Sequence, residues 1–135
     1  MLSAENLLQA HPLSATAERG EALARAVEAA LGCAAACTAC ADGCLSEEDP
    51  ARLSRAAAAA ESCAAICAAT ASTLLRQSAH ADREGLITLL QSCTSACLRC
   101  ERECREHELM HDHCRLCVEA TTACVEACER LIALL

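Results

Sequence analysis

A repeated spacing of cysteines restricts the fold of this chain more than any other feature of the sequence. Four cysteines follow one another at steps of four, three and four residues in CAAACTACADGC, residues 33–44, and the same steps recur in CTSACLRCEREC, residues 93–104. An α-helix turns 100° per residue, so each set covers an arc of roughly 60° on one helix face. The spacing therefore predicts two helices that each present a row of thiols inward, as a bundle helix presents its core residues.

Two further segments carry the remaining cysteines. Residues 114–128 place four cysteines in one helical register, with Thr121 at the vacant position, and residues 63–67 place two, followed in register by Thr70 and Leu74. All the thiols can therefore face one common axis. The candidate metal ligands are Cys33, Cys37, Cys40, Cys44, Cys63, Cys67, Cys93, Cys97, Cys100, Cys104, Cys114, Cys117, Cys124 and Cys128.

Helix-forming residues and turn signals divide the chain into four long helices. Alanine, leucine, glutamate and arginine dominate, whereas strand-forming residues are scarce. Asp49, Asp82 and Asp112 are suited to cap helix N-termini, and Pro50 to begin a helix. The predicted helices are residues 17–45, 51–78, 82–108 and 112–134, and the sequence also allows a short helix over residues 3–10.

Long helices joined by short turns favour an antiparallel, up-down-up-down four-helix bundle. We therefore expect an all-α fold, with residues 1–135 forming a single domain of ordinary size. Gly32 and Gly43 lie inside the first long helix, where each costs about 1 kcal/mol relative to alanine. Both precede a cysteine, which indicates a close approach between helices.

The composition disfavours several classes of function. The chain has no aromatic residue, no basic patch and a net charge of −8, so we expect no nucleic-acid partner. No apolar run reaches about 18 residues without a charge, so we expect no membrane span. No phosphate-binding loop occurs, and a pair formed by Cys104 and His107 would leave the other thiols unexplained, so we expect no enzymatic activity.

The N-terminal segment MLSAENLLQAHPLSATAERG shows no feature of an export signal. It has no basic n-region, no long apolar h-region and no twin arginine. We therefore expect a cytoplasmic protein. In a reducing compartment, repeated cysteines indicate metal binding more often than structural disulfides.

Three interpretations of the fourteen thiols are core filling, disulfide bonding and metal binding. Cysteine can act as a small apolar core residue, but valine or alanine would fill similar volume without a risk of oxidation. Neighbours at i,i+3 or i,i+4 on one helix suit disulfides poorly, although pairs between helices remain available. Metal binding accounts best for the whole set.

The linear arrangement of the thiols favours copper among the soft metals. Thiolates select Cu(I), Zn(II) and iron–sulfur clusters, but zinc needs four ligands that converge on one point and clusters prefer loops. The first long helix spreads its thiols over about 16 Å. A Cu⁺ that replaces one thiol proton leaves the core neutral, whereas a Zn(Cys)₄ unit buries a net charge of −2. We predict storage of several Cu(I) ions; zinc storage, an Fe–S electron carrier and a thiol redox buffer are the alternatives.

The two ends of the predicted bundle differ in chemistry. Past Cys104, two histidines continue the cysteine register and two further soft or basic residues lie beside them, so we predict metal uptake at this end, although the helix dipole alone also favours histidine there. We call this end the mouth; its residues are His107, Met110, His111 and His113. The opposite end, the leucine plug, contains Leu23, Leu74, Leu86, Leu90, Leu131 and Leu135. His11 and His80 lie away from the mouth and are expected to be ordinary surface residues.

The sequence resembles the bacterial copper storage proteins, cysteine-rich four-helix bundles that hold many Cu(I) ions. The matching features are the two CxxxCxxCxxxC ladders, CAAIC at 63–67, HELMHDHC at 107–114 and CVEAC at 124–128, within a similarity that covers residues 20–135. The chain is similar to the cytosolic members, which lack export signals. The resemblance implies Cu(I) on the core cysteines, uptake at a histidine-containing end and a homotetramer of bundles; the residues themselves do not indicate an oligomeric state.

Overall fold

The computed structural model describes residues 2–135, which contain helices and turns but no strand. Five α-helices occur in chain order: α1 (Ala4–Gln9), α2 (Ala17–Leu45), α3 (Ser54–Leu75), α4 (Arg83–Arg105) and α5 (Asp112–Leu134). Two short 3₁₀ helices, Pro50–Leu53 and Gln77–Ala81, precede α3 and α4.

The four long helices pack as a square bundle in which each helix has two neighbours. Helix α2 lies between α3 and α5, and α4 lies diagonally opposite α2, also between α3 and α5. The thiols show the helix directions, since Cys63 and Cys67 of α3 meet Cys97 and Cys93 of α4 in reverse order. The structure thus confirms the all-α, antiparallel up-down-up-down bundle and its short N-terminal helix.

Helix α3 is shorter than the predicted range of residues 51–78. It begins at Ser54, because Pro50–Leu53 winds as a 3₁₀ helix after the turn. It ends at Leu75, because the backbone of Arg76 leaves the helical region at φ −90° and ψ 86°. The remaining predicted residues belong to the second 3₁₀ helix, which leads into α4.

Helix α4 also differs from its predicted range, residues 82–108. Asp82 is the N-cap as predicted, and its side chain accepts a hydrogen bond from the backbone N–H of Gly85 at 3.0 Å. The helix ends at Arg105, and the N–H of His107 then bonds the carbonyl of Cys104 three residues back, in a tighter turn than an α-helix. The ranges of α2 and α5 coincide with the predicted ones. The predicted cap at Asp112 is wrong, because His111 holds that position and Asp112 begins the helix.

The core is built from cysteine, alanine and leucine in place of aromatic side chains. Most of the predicted plug residues are buried at the end away from the α2–α3 turn, whereas Leu135 is only partly buried. Helix α1 covers this end of the bundle: Leu8 is buried, and its carbonyl oxygen accepts a hydrogen bond from Gln77 Nε2 at 2.9 Å. The bundle is therefore closed by apolar side chains at one end.

Two helical segments, Ala17–Leu45 and Pro50–Leu75, are long and apolar enough to cross a membrane by length and composition. The expectation of no membrane span rested on the absence of long apolar runs without any charged residue, whereas these two segments each include charged residues. In the bundle, both segments turn their cysteines toward the shared core, which accounts for their apolar composition.

We expect replacement of Leu131 in the plug by alanine to destabilise the copper-free protein by about 2–5 kcal/mol, because a buried leucine leaves both lost contacts and a cavity. Leu131 is fully buried, whereas Leu116 on the same helix is 49% exposed and L116A should change stability by about 0.5 kcal/mol or less. Urea unfolding followed by circular dichroism under reducing conditions measures both variants. Equal losses would show that the plug contributes no more than the surface.

Candidate metal centre

The structure gathers all fourteen candidate cysteines into one buried column. Each has 0% exposure, and every thiol is free. The close contacts between sulfurs range from 3.4 Å, for Cys100 and Cys117, to 4.0 Å, for Cys40 and Cys44. The cysteines of all four long helices thus face the core, as the sequence predicts.

Sulfurs of α2, α3 and α4 form one group in the middle of the column, and a sulfur of α5 completes a second group farther from the mouth. One group comprises Cys33, Cys63, Cys67 and Cys97, and a second comprises Cys67, Cys93, Cys97 and Cys124. Within each group the sulfurs lie within 4.8 Å of one another. Metal–sulfur bonds of about 2.3 Å, as for zinc, allow one ion to join sulfurs up to about 4.6 Å apart. Because Cys67 and Cys97 belong to both groups, the arrangement favours bridging thiolates over separate cages.

Two threonines interrupt the column without leaving a polar group unpaired. Thr70 and Thr121 are fully buried, as expected for residues in the cysteine register. The Thr70 hydroxyl donates to the Ile66 carbonyl at 2.8 Å, and the Thr121 hydroxyl donates to the Cys117 carbonyl at 2.9 Å. Each hydroxyl is satisfied by its own helix, so these positions need no metal.

His113 is the mouth residue in direct contact with thiols. Its Nδ1 lies 3.4 Å from the Cys40 sulfur and 3.5 Å from the Cys114 sulfur, and it forms one group with Cys40, Cys44 and Cys114. The sequence register favoured His107 and His111 instead. That register does not reach them, because α4 ends at Arg105, whereas His113 lies in the first turn of α5.

A further side chain at the mouth, which the sequence did not indicate, is that of Glu47 in the turn after α2. Its Oε1 lies 3.3 Å from His111 Nδ1 and 3.1 Å from His113 Nε2. The two imidazole rings stack, with centroids 5.4 Å apart and planes at 13°. The sequence could have indicated these contacts only through the predicted topology, because an antiparallel bundle brings the first and third turns to the same end.

The remaining mouth residues lie farther out. Met110 is 79% exposed. It lines a surface cavity of about 340 Å³ together with Glu47, Glu48, Asp49, Arg52, Leu53, His107 and His111. The mouth is therefore a partly open pocket above the thiol column, lined by histidine and methionine together with acidic side chains.

Hydrogen bonds among the thiols and His113 shift the pKa values of the groups at the mouth. The hydrogen bond from Cys104 raises the pKa of Cys40, but bonds from Cys114, Cys117 and His113 outweigh it and lower that pKa to about 7. Burial opposes protonation of His113, yet its bonds to Cys40 and Glu47 raise its pKa. Deeper in the same group, burial raises the pKa of the Cys44 thiol.

The two histidines away from the mouth differ from each other. His11 Nδ1 accepts a hydrogen bond from the backbone N–H of Leu13 at 3.0 Å. His80, expected to be an ordinary surface residue, is partly buried at the plug end, where its Nε2 lies 3.1 Å from the Leu74 carbonyl oxygen. Burial lowers the pKa of His80.

Gly43 makes room for the His113 ring. A Cβ at this position would lie 2.9 Å from His113 Cδ2 and 3.0 Å from its Cγ. The close approach expected at Gly43 is therefore present, and the group that approaches the glycine is the side chain of His113 on α5. At Gly32 the expectation is wrong, since a Cβ there would meet nothing within 4 Å.

A helical bundle whose core is a continuous column of free thiols defines a protein that can hold soft metal ions. The chain belongs to the copper storage protein family, whose sequence profile matches residues 19–133.

Solved structures agree with this assignment. The copper storage protein Ccsp from Streptomyces lividans, loaded with 10 copper equivalents, matches with a TM-score of 0.93 and 41% identity over 98% of this chain and 100% of that chain. A cytosolic copper storage protein from Streptomyces lividans with five coppers matches with a TM-score of 0.83 and 45% identity over 87% of this chain and 97% of that chain. No curated protein sequence matches the chain.

Replacement of Gly43 by alanine should displace the His113 ring from Cys40 and Cys114, because the new methyl group would overlap the ring. Gly32→Ala is the matched control: it meets open space and should stabilise the helix by about 1 kcal/mol. NMR shifts of the His113 ring in the reduced, copper-free protein report the displacement. Unchanged shifts in G43A would contradict the close packing.

Proposed function

We propose that this protein stores several Cu(I) ions in the cytoplasm, bound by the fourteen core cysteines, and that it has no enzymatic activity. The observation that carries the proposal is the continuous column of buried sulfurs, in which neighbouring groups share Cys67 and Cys97. Residues 1–135 would act as one bundle domain. The Streptomyces lividans structures with five coppers and with 10 copper equivalents support a capacity of several ions.

The charge of the core supports copper in its +1 state. Each Cu⁺ that binds a cysteine displaces one thiol proton, which leaves through the mouth, so the buried charge does not change. An uncompensated buried charge is very costly. Cu(I) thereby fills an apolar column one ion at a time without requiring a counter-ion from the protein.

The mouth supplies the uptake route in this proposal. An incoming ion would meet Met110, His107 and His111 in the outer cavity and then His113 beside Cys40 and Cys114. A soft thioether and imidazoles bind Cu(I) more weakly than the thiolates beneath them. The ion is therefore drawn inward.

Location and assembly are inferred from relatives. A cytoplasmic location is supported by the likeness to a Streptomyces lividans protein described as cytosolic. We also propose the homotetramer that the family resemblance implies, with copper ions as the partners and no nucleic acid or membrane.

Zinc is the second candidate cargo, because the group of Cys33, Cys63, Cys67 and Cys97 offers four sulfurs within 4.8 Å of one another. Four such ligands satisfy a tetrahedral ion. The buried charge of −2 that would result is the argument against it.

Titration of the reduced protein with Cu(I) against a strong competing chelator should show tight binding of many equivalents, and Zn(II) should not displace them. Saturation at one or two equivalents, or displacement by Zn(II), would contradict copper storage. Colour in the purified protein would instead support an iron–sulfur carrier. Reversible disulfides between helices, without stoichiometric metal, would support a redox buffer.

Replacement of both His107 and His111 by alanine should slow Cu(I) uptake and leave the capacity nearly unchanged, because these side chains lie outside the thiol column. Stopped-flow mixing with a coloured Cu(I)–chelator complex gives the rate, and its end point gives the capacity. His11→Ala, at a distance from the mouth, is the control and should match the wild type. A large loss of capacity in the double variant would make the two histidines storage ligands.

A further inference from the structure

One carboxylate oxygen holds two histidines of the mouth together. Glu47 Oε1 lies 3.1 Å from His113 Nε2 and 3.3 Å from His111 Nδ1. The Glu47 and His113 side chains are 33% and 23% exposed, so solvent weakens the charge interaction between them more than it weakens the directional hydrogen bond. The importance of Glu47 therefore lies in the orientation that it imposes on the rings.

The opposite edge of the His113 ring faces the thiols. Nδ1 lies 3.4 Å from the Cys40 sulfur and 3.5 Å from the Cys114 sulfur. His113 thus links a carboxylate on one side with the first thiol group on the other. On a third side the ring packs against Gly43, where a Cβ would be only 2.9 Å from Cδ2.

The chemistry of the carboxylate determines which ring nitrogen carries the hydrogen. A neutral imidazole has one N–H and one lone pair, and an ionised carboxylate only accepts hydrogen bonds. The hydrogen of neutral His113 therefore stays on Nε2, directed at Glu47. The lone pair of Nδ1 then points toward Cys40 and Cys114. A carboxylate that holds the free N–H of a ligating imidazole fixes the ring and makes it a better donor.

We propose that Glu47 is the positioning residue of the mouth: it selects the Nε2–H form of His113, so that Nδ1 binds Cu(I) together with Cys40 and Cys114. This inference rests on the proposed storage of Cu(I). In the binding step, Cu⁺ takes the Nδ1 lone pair and replaces the thiol proton of Cys40, which is released to solvent. Copper stays in the +1 state, and the Nε2–H bond to Glu47 is kept.

The first test measures the ring itself in the reduced, copper-free protein. Glu47→Gln keeps the size of the side chain but can donate as well as accept, so the preference for Nε2–H should be lost. Glu47→Ala removes the contact altogether. Glu48→Gln is the matched control, because it makes the same change of charge at an exposed residue of the same cavity. Two-bond ¹H–¹⁵N correlation spectra of the imidazoles identify which nitrogen is protonated in the neutral ring.

The expected result is an Nε2–H ring for His113 in the wild type and E48Q, and a mixture or the Nδ1–H form in E47Q and E47A. An Nδ1–H ring in the wild type, or an unchanged Nε2–H ring in both Glu47 variants, would overturn the proposal. Because no copper is present, this result does not depend on the storage function.

The second test separates positioning from simple attraction of a cation. Loss of an orienting partner typically weakens metal binding by about 10-fold or more. E47Q should therefore bind the Cu(I) that loads last, beside His113, about 10-fold more weakly than the wild type, against a chelator, with the total capacity unchanged. E48Q should behave as the wild type. Equal weakening in both variants would show that only negative charge matters and would overturn the proposal. Failure of the wild type to bind several Cu(I) ions would instead contradict the storage function itself.

Discussion

The need to keep a buried core electrically neutral is the constraint on which the rest of the structure depends. Protonated thiols are small and weakly polar, so fourteen of them pack with alanine and leucine into an ordinary dry interior. Thiolates that each bind a monovalent ion are equally neutral. The same bundle can therefore exist in both states, and the protein does not have to fold around its cargo in the way that a zinc finger does.

The two ends of the bundle follow from where the chain turns. The turns after α2 and α4 lie at one end and bring Glu47, His107, His111 and His113 together there. At the other end, α1 lies over the leucines through Leu8 and Gln77. The two ends of the bundle therefore differ in chemistry. Polar ligands lie at the end that contains the turns after α2 and α4, and apolar side chains close the opposite end.

The sequence predicts the long helices and the inward thiols because both depend on the helical repeat alone. It does not predict which histidine touches them. Extrapolation of the register from Cys104 to His107 and His111 assumes that α4 continues, but the chain turns after Arg105. His113 gains its contacts from α5 instead. Glu47 could not be found by periodicity, since it lies in a turn and contacts His113 of α5, which is 66 residues away in the chain.

The leucine plug has a consequence for the order in which ions move. In the proposed store, the column ends at the partly exposed His113 ring at the mouth and is sealed by Leu23, Leu74, Leu90 and Leu131 at the other end. An ion that reaches Cys128 must pass every sulfur nearer the mouth, and it must pass them again to leave. In that store the deepest ions would form a long-lived reserve, and those beside His113 would be the fraction that exchanges.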